Sequence, residues 1–375
     1  MKICYIAEAI NIHTQRWVKY FADRGHEIHL VSPTPLGDGD IGKAELHVLK
    51  RLPPQIRIIS PPINLPLSII QISRLIRRIK PDILHAHYIT SCGFWGGLSR
   101  FHPFVLSAWG SDVLVDPNRS RISRYFVQFA LKRADLITTM GENLIEEIIK
   151  LGADPDKIHF VVNGVDTKKF NPQKKRLKEE HKIVDFPVVI SVRWLHPIYD
   201  VETLIKSVPI VLEQIPGVKF IIAGEGAQKN YLRDIAKSLG VLDSTSFIGR
   251  IPHDQLPNYL AAADVYVSTS LSDGASVSLL EAMACGLAPV VTDVGDVGKW
   301  IKDGQNGFVI PVKSPDLLAE KIICLLRNEE LRDKMAKPNR QLVEERAEYE
   351  KEMEKMEKLY EEVIAGCSGT SNRGQ

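Results

Sequence analysis

Short apolar runs alternate with amphipathic helical patterns through both halves of the chain. Strands are predicted at residues 3–7, 27–32, 82–87, 104–108, 135–139, 188–192, 219–223, 246–248, 265–268, 289–292 and 307–310. Helical spacing of apolar residues predicts helices such as 15–24, which Gly25 ends, and 201–212. Strands that alternate with helices are typical of βαβ units and parallel sheets. The pattern therefore predicts an α/β fold with one sheet in each half.

The two alternating patterns are separated by residues 168–182, which are rich in lysine and arginine and poor in large apolar residues. Such a composition is typical of a solvated connection, so we place the domain boundary there. The predicted domains are residues 1–167 and 168–340. Beyond them, residues 344–362 predict a charged helix, and the polar residues 366–375 predict a frayed tail.

Composition and charge narrow the class of protein. The chain has 375 residues, of which 44% are hydrophobic and 25% are charged, as in ordinary globular proteins and unlike fibrous or disordered chains. Its 48 basic and 46 acidic residues give a net charge of +2. Because binding to a phosphate backbone usually requires a clear basic excess, we predict that nucleic acid is not a partner.

Cysteine usage and hydropathy predict a cytoplasmic location. The five cysteines are scattered and mostly lie in apolar runs, which is typical of buried thiols in a reducing compartment. Residues 1–6 form a strand pattern without the features of a signal peptide. The longest weakly charged stretch, residues 52–73, contains Arg57 and five prolines, so it does not predict a membrane-spanning helix.

The segment from residue 268 to 286 carries the clearest chemical signal. After a strand, the small residues Gly274, Ala275 and Ser276 lead into a helix, so the amides at its start are open to an anion such as a diphosphate. Asp273 and Glu281 bracket this start. A carboxylate repels a diphosphate, so these acids fit as acceptors of hydrogen bonds from sugar and ribose hydroxyls. The alternative is that they only cap and support the helix.

This segment resembles the acid-x7-acid motif of the family 4 retaining glycosyltransferases, also called glycosyl transferases group 1. Residues 162–172 are similar to the interdomain segment of that family, and residues 247–251 and 256–264 are similar to its nucleotide-base strand and the following helix. The resemblance implies a GT-B fold, α/β, with two Rossmann-like domains facing a central cleft. Residues 1–167 would bind the acceptor and 168–340 the nucleotide-sugar donor, and a helix within 341–375 would cross back to the first domain.

The same resemblance implies the activity. It predicts transfer of a sugar, with retention of configuration, from a nucleotide-diphosphate sugar to an acceptor hydroxyl in polysaccharide, glycolipid or glycoconjugate biosynthesis. The expected partners are the nucleotide sugar and a sugar or lipid-linked acceptor, with no cofactor and no metal. Two alternatives are a nucleotide-sugar 2-epimerase of the same fold and a catalytically weak relative that binds nucleotide sugars.

Site residues follow from the matching positions. The predicted catalytic residues are His87, Arg193, Asp273 and Glu281. The predicted donor-binding residues are Arg193, Tyr199, Gly224, Glu225, Arg250, Ile251, Asp273, Gly274, Ala275, Ser276, Val277, Ser278 and Glu281. The predicted acceptor-side residues are Asn11, His13, Trp109 and Asp112.

Two positions depart from the family pattern. The first acid is usually glutamate and is Asp273 here, one methylene shorter, which predicts an altered contact with the donor sugar. The family usually also has a lysine beside the arginine, and Tyr199 occupies its approximate place. Because tyrosine donates a hydrogen bond but carries no charge, phosphate stabilisation would depend on Arg193 and the helix start.

Several weaker motifs have competing interpretations. Gly224-Glu225-Gly226 begins like a dinucleotide fingerprint but has Lys229 in place of the third glycine, so a tight turn near the donor phosphates is favoured. His85 and His87 face one side of a strand, but no third ligand is evident, so we predict no metal site there. The resemblance places His87 beside the reacting sugar, and a purely structural histidine is the alternative.

Two helical segments are relevant to the question of membrane contact. Residues 69–80 and 119–132 combine apolar faces with arginines, which is typical of surface helices. With a lipid-linked acceptor, the same faces would allow peripheral contact with the inner face of the membrane.

Overall fold

The computed structural model describes residues 1–50, 64–172, 186–274 and 276–371. The chain forms two compact units, one of residues 1–162 with 352–375 and one of residues 163–351. The first unit therefore ends before the predicted boundary at residue 167, and the chain returns to it after the predicted boundary at residue 340. The predicted connection at 168–182 lies largely outside the described residues.

In the first unit, the described strands are β1 (Lys2–Ile6), β2 (Glu27–Ser32), β3 (Glu45–Val48), β4 (Ile83–His87), β5 (Phe104–Ala108), β6 (Leu136–Thr139) and β7 (Ile158–Phe160). The helices are α1 (Ile12–Asp23), α2 (Asn64–Ile79), α3 (Phe94–Ser99), α4 (Ser111–Leu114), α5 (Asp116–Arg119), α6 (Arg121–Arg133) and α7 (Glu142–Lys150). All the strands are parallel, in the order β3-β2-β1-β4-β5-β6-β7.

In the second unit, the described strands are β8 (Val188–Val192), β9 (Lys219–Ala223), β10 (Thr245–Gly249), β11 (Val265–Ser268), β12 (Ala288–Thr292) and β13 (Phe308–Ile310). The helices are α8 (Val201–Gln214), α9 (Lys229–Ser238), α10 (Leu256–Ala262), α11 (Val277–Ala284), α12 (Val297–Trp300), α13 (Pro315–Arg327) and α14 (Glu329–Arg346). A last helix, α15 (Tyr349–Ser371), starts in this unit and continues in the first. The parallel strands have the order β10-β9-β8-β11-β12-β13.

Both sheets reverse their strand order at one point, between β1 and β4 and between β8 and β11. In open parallel sheets, ligands bind beyond the carboxyl ends of the strands at this reversal. His87 ends β4, and Arg193 directly follows β8. The topology therefore places these two of the four predicted catalytic residues where such folds bind ligands.

Apolar sequence explains the central strands. Every residue of β4 and β5 is buried, as expected for parallel strands covered on both faces. Helix α1 ends as predicted, because Gly25 adopts a positive φ of 89° and donates its N–H to Ala22 O. Each unit has its own hydrophobic core, and both predicted sheets are confirmed.

Three predictions, two at the end of the chain and one for a cysteine, were wrong. Helix α15 continues to Ser371, so a tail frayed from residue 366 is not observed. The predicted helix 344–362 is interrupted, because Val165 donates its N–H to Ala347 O at 2.8 Å and accepts from Tyr349 N at 3.0 Å. Among the described cysteines, Cys324 is exposed rather than buried. None of the described helices combines the length and the apolar character needed to cross a bilayer.

Candidate active site

A buried arginine organises the carboxyl end of the second sheet. Arg193 Nη1 donates to Ser276 Oγ at 2.7 Å and to Ser278 Oγ at 3.1 Å. Its Nη2 donates to Ser270 Oγ at 3.0 Å and forms an ion pair with Asp273. We call these five residues the Arg193 network. It joins the end of β8 to the loop after β11 and to the start of α11.

Two glycines allow the close backbone packing that positions Arg193. A Cβ added to Gly224 would lie 2.0 Å from Arg193 O, and one added to Gly226 would lie 2.3 Å from Leu195 O. The loop after β9 also bonds to this segment, because Leu195 N donates to Glu225 O at 2.9 Å. The Gly-x-Gly pair is therefore a close backbone approach that positions Arg193, in agreement with the favoured tight turn.

The guanidinium is held as a buried cation. Burial acts to lower the pKa of Arg193, but the Asp273 carboxylate together with Tyr266 and Tyr199 outweighs this effect, and the pKa is raised. The Tyr199 ring lies 4.4 Å from the guanidinium carbon, so Tyr199 stacks on the arginine where the family has a second cation. Burial raises the pKa of Tyr199, which keeps its hydroxyl protonated. The Nε–H of Arg193 is buried and has no partner among the described residues.

Serine hydroxyls surround the start of α11. Ser276 is the N-terminal capping residue of this helix and is buried, and Ser278 Oγ also lies 2.8 Å from Tyr266 Oη. Asp273 accepts from Gly274 N at 3.0 Å and pairs with Arg193, so it does not cap the helix. Ala275, predicted to bind the donor, lies outside the described residues, whereas Val277 forms the first turn of the helix.

Glu281 has a partner that the sequence analysis missed. Its Oε1 lies 2.8 Å from His253 Nε2, and the Glu281 side chain is 5% exposed. The ring of His253 in turn packs near Phe170, with 5.3 Å between centroids. The only sequence signal for His253 was its position shortly after the predicted base-side residues Arg250 and Ile251. Arg250 is exposed, and Ile251 is half-buried.

Glu225 is also paired. Its carboxylate lies 2.7 Å from Lys229 Nζ, one helical turn further along the chain. Lys229 occupies the position where a dinucleotide fingerprint has its third glycine. This pairing is not expected from the fingerprint, and it places a lysine at the start of α9, three residues after Gly226.

In the first unit, His87 lies in an aromatic setting at the end of β4. Its ring centroid is 5.2 Å from that of Trp17 and 5.0 Å from that of Trp109. Its Nδ1 lies 3.5 Å from Thr14 Oγ1, and its Nε2 is buried without a partner among the described residues. Burial lowers the pKa of His87 to about 3, so the imidazole is neutral at physiological pH.

The predicted acceptor-side residues have distinct structural roles around Trp109. The Asn11 side chain caps α1 by accepting from His13 N at 2.9 Å, and the His13 ring lies 6.0 Å from Trp109 in an edge contact. Asp112 accepts from Trp109 N at 3.0 Å and from Gly110 N at 2.8 Å. Burial raises the pKa of Asp112 to about 6. Asp112 therefore holds the loop that presents Trp109.

His85 belongs to a buried polar network beneath His87. Its Nδ1 lies 2.6 Å from Tyr360 Oη and its Nε2 lies 2.7 Å from Ser107 Oγ. The two histidine rings face the same side, as predicted, with 4.6 Å between centroids. Both nitrogens of His85 have partners, and Tyr360 lies on α15. The last helix thus anchors the strand that ends in His87.

Acid should destabilise the folded chain through these two histidines. Burial holds the pKa of His85 well below its usual value and that of His87 near 3, whereas an unfolded chain binds these protons near pH 6.5. Below about pH 6.5 the unfolded state binds more protons, so the free energy of unfolding falls as pH falls. For His87 alone, the slope is about 1.4 kcal/mol per pH unit.

Urea unfolding between pH 7 and pH 4 measures this effect. We expect His87→Gln to reduce the pH slope of the unfolding free energy by the contribution of about one proton. A His87→Gln variant that is folded and has the wild-type slope would contradict a buried neutral His87.

Comparison with known proteins identifies the family. Residues 173–342 match the family described as Glycosyl transferases group 1, and residues 2–140 match the family described as Glycosyl transferase 4-like. The chain is 25% identical over 358 residues to N-acetyl-alpha-D-glucosaminyl L-malate synthase of Bacillus anthracis, covering 92% of each chain. It is 28% identical over 293 residues to the putative glycosyltransferase EpsD of Bacillus subtilis, covering 72% of this chain and 74% of EpsD.

Solved structures agree on the fold. Sucrose-phosphate synthase from Thermosynechococcus elongatus superposes with a TM-score of 0.84 at 18% identity, covering 98% of this chain and 100% of the other. Anabaena Alr3699/HepE in complex with UDP and glucose superposes with a TM-score of 0.80 at 18% identity, covering 97% of this chain and 100% of the other. With two parallel α/β units, an arginine-centred site at the sheet reversal and matches over both halves, the chain belongs to the group 1, family 4 glycosyltransferases and has the GT-B fold.

Proposed function

We propose that the chain transfers a glycosyl group from a nucleotide-diphosphate sugar to an acceptor hydroxyl with retention of configuration. The observation that carries this proposal is the Arg193 network. It places a buried guanidinium, whose Nε–H has no partner among the described residues, beside serine hydroxyls at the start of α11. Positive charge and hydrogen-bond donors at a helix start suit a diphosphate leaving group.

Asp273 acts as the counter-ion of Arg193 in the described structure. A guanidinium buried without an anion is costly, and the Asp273 carboxylate removes that cost. When a diphosphate approaches, it offers the guanidinium a second anion, and the Asp273 oxygens become free to accept from hydroxyls of the donor sugar. Asp273 thus pairs with Arg193 before the donor binds and accepts hydrogen bonds from the sugar afterwards.

Glu281 is proposed to hold the ribose. Its buried carboxylate keeps one oxygen on His253, which fixes the orientation of the other oxygen. A carboxylate held in this way accepts hydrogen bonds from vicinal hydroxyls. His253 is a positioning residue in this proposal, because it acts through Glu281.

The names of similar proteins support a nucleotide-sugar donor but do not identify its sugar. Anabaena Alr3699/HepE is described in complex with UDP-glucose, and relatives from Mycobacterium are described as GDP-mannose-dependent mannosyltransferases. The shared chemistry is a nucleoside diphosphate bonded to a sugar. Arg193 and the helix start would stabilise the leaving diphosphate, so we propose that transfer needs neither a metal nor a cofactor.

The acceptor side is proposed to be His87 and Trp109. The neutral imidazole has a buried Nε2 without a partner among the described residues, and Trp109 supplies a flat ring beside it. On α6, Ile122 is 67% and Tyr125 59% exposed, next to the exposed Arg121. We propose that this helix contacts the cytoplasmic face of a membrane that carries a lipid-linked acceptor for glycolipid, polysaccharide or glycoconjugate synthesis.

A donor panel tests the activity. We expect one of UDP-glucose, UDP-N-acetylglucosamine and GDP-mannose to raise the melting temperature, because a ligand stabilises the state that binds it. The same donor should then be transferred to a sugar or lipid acceptor, and proton NMR of the product should show the anomeric configuration of the donor. A 2-epimer formed without acceptor would indicate an epimerase, and binding without transfer or hydrolysis would indicate a non-catalytic relative.

A further inference from the structure

Three side chains of the first unit converge on two neighbouring strands of its sheet. In the parallel pairing of β2 with β3, His29 lies opposite Glu45, and His47 lies two residues further along β3 on the same face. We call His29, Glu45 and His47 the His29 site. The sequence analysis predicted no metal ligands and missed this group, because strand β3 itself was not predicted.

The ligand atoms of the His29 site lie at the spacing of a zinc centre. His29 Nδ1 is 3.1 Å from His47 Nε2 and 3.3 Å from Glu45 Oε2, and His47 Nε2 is 3.6 Å from Glu45 Oε1. Tetrahedral zinc with nitrogen and oxygen ligands at about 2.0–2.2 Å has ligand atoms about 3.3–3.6 Å apart. The three side chains therefore come close to this spacing, with Oε2 of Glu45 facing His29 and Oε1 facing His47.

An outer carboxylate fixes the orientation of one imidazole. His29 Nε2 lies 3.2 Å from Glu27 Oε1, so an Nε2–H donates to Glu27 and the Nδ1 lone pair points toward the other two side chains. Metal-binding histidines almost always donate their second ring N–H to a carboxylate or carbonyl in this way. Glu27 is itself held by Lys2 Nζ at 3.0 Å.

Burial and charge also suit a cation. The side chains of His29 and His47 are 10% and 9% exposed, whereas that of Glu45 is 60% exposed and gives access from solvent. Arg78 is close enough to act on the charge of His47 and opposes a cation. Two carboxylates offset the repulsion from Arg78. That of Glu45 directly faces the two imidazoles, and that of Glu27 lies behind His29.

We propose that His29, Glu45 and His47 bind a divalent transition-metal ion, with zinc favoured by two imidazoles and one carboxylate. The three protein ligands leave a fourth position for water. The site lies within paired strands at one edge of the sheet, and not at the β1/β4 reversal where ligands of such folds bind. Its role is to clip the short edge strand β3 to β2, so it is independent of the proposed sugar transfer.

Zinc titration of the full-length, untagged chain tests the site. After treatment with EDTA and dialysis, calorimetry should show one zinc ion per chain at micromolar affinity or better, and cobalt should give the visible absorption of a tetrahedral site. Replacing a ligand in His29→Ala or His47→Ala should weaken zinc binding by more than about 100-fold, and Glu27→Gln, which removes only the outer carboxylate, by about 10–100-fold.

The matched control is His102→Ala, which removes a histidine that lies 2.7 Å from a carboxylate oxygen of Asp135 elsewhere in the same unit. It should bind zinc like the wild type. Should a histidine variant fail to fold, Glu45→Gln changes an exposed side chain and should still abolish the tetrahedral cobalt spectrum. Wild-type binding no tighter than that of His29→Ala, or an unchanged cobalt spectrum in Glu45→Gln, would overturn the site and identify the group as a hydrogen-bonded histidine pair.

Discussion

Replacing Arg193 with alanine is expected to lower kcat for sugar transfer by roughly 10²–10³-fold, the usual loss when one group that stabilises developing charge is removed. The guanidinium is the buried cation that the Arg193 network offers to a leaving diphosphate. Arg193→Lys should keep part of the rate, because lysine retains the charge but not the planar fork that reaches Ser270 and Ser276 at once. Steady-state kinetics with a saturating donor measures both variants.

Stability must be separated from catalysis in that experiment. Removing one partner of a buried ion pair costs about 3–5 kcal/mol, because Asp273 is left without its counter-ion. Circular dichroism and urea unfolding therefore accompany the kinetics, and Arg327→Ala, which loses hydrogen bonds to Gln214 in the same unit, serves as the control. A folded Arg193→Ala protein that turns over like the wild type would exclude Arg193 from phosphate stabilisation.

The fold could be predicted where strands are buried on both faces. For β5, β8, β9 and β11, apolar runs bounded by polar residues gave the observed ends. The edge strands β3 and β7 of the first sheet were missed, because they are only four and three residues long, none of their residues is fully buried, and their pairing depends on a neighbour. Local pattern thus predicted every described strand of the second sheet, including its edge strands β10 and β13, but not the two edge strands of the first sheet.

The candidate site could be predicted as a set of residues but not as a set of contacts. The motif gave Arg193, Asp273 and Glu281 as ligands for the donor, yet it could not show that Arg193 and Asp273 pair with each other. It also could not show that His253 holds Glu281. These pairs join residues that are 80 and 28 positions apart, and only the folded sheet brings them together.

The buried hydrogen-bond network of His85 and Tyr360 was also not predictable, because its residues are far apart along the sequence. Tyr360 lies 275 positions from His85, and its hydroxyl also lies 3.0 Å from Tyr5 Oη. No periodic pattern connects a tyrosine on the last helix with two central strands of the first sheet. The sequence predicted that this helix returns to the first domain, but not that it supplies a buried hydrogen-bond partner.

Replacing Gly224 with alanine is expected to disable the Arg193 network without removing any of its side chains. The added Cβ would lie 2.0 Å from Arg193 O, and a backbone atom in a strand end cannot move as a flexible side chain does. Overpacking of this kind costs about 1–3 kcal/mol or more, and we expect the upper part of that range. The loop after β9 and the Arg193 backbone must separate, and a displacement of about 1 Å at a reacting group can cost about 10²-fold in rate.

Gly298→Ala provides the matched control, because Gly298 lies within helix α12 and its added Cβ would have no neighbouring atom of the described residues within 4 Å. There the same substitution should be neutral or stabilise the chain by up to about 1 kcal/mol. Urea unfolding gives the stability of both variants, and transfer kinetics with a saturating donor give kcat. A Gly224→Ala protein with wild-type stability and turnover would mean that the close approach of the loop after β9 to Arg193 does not position the guanidinium.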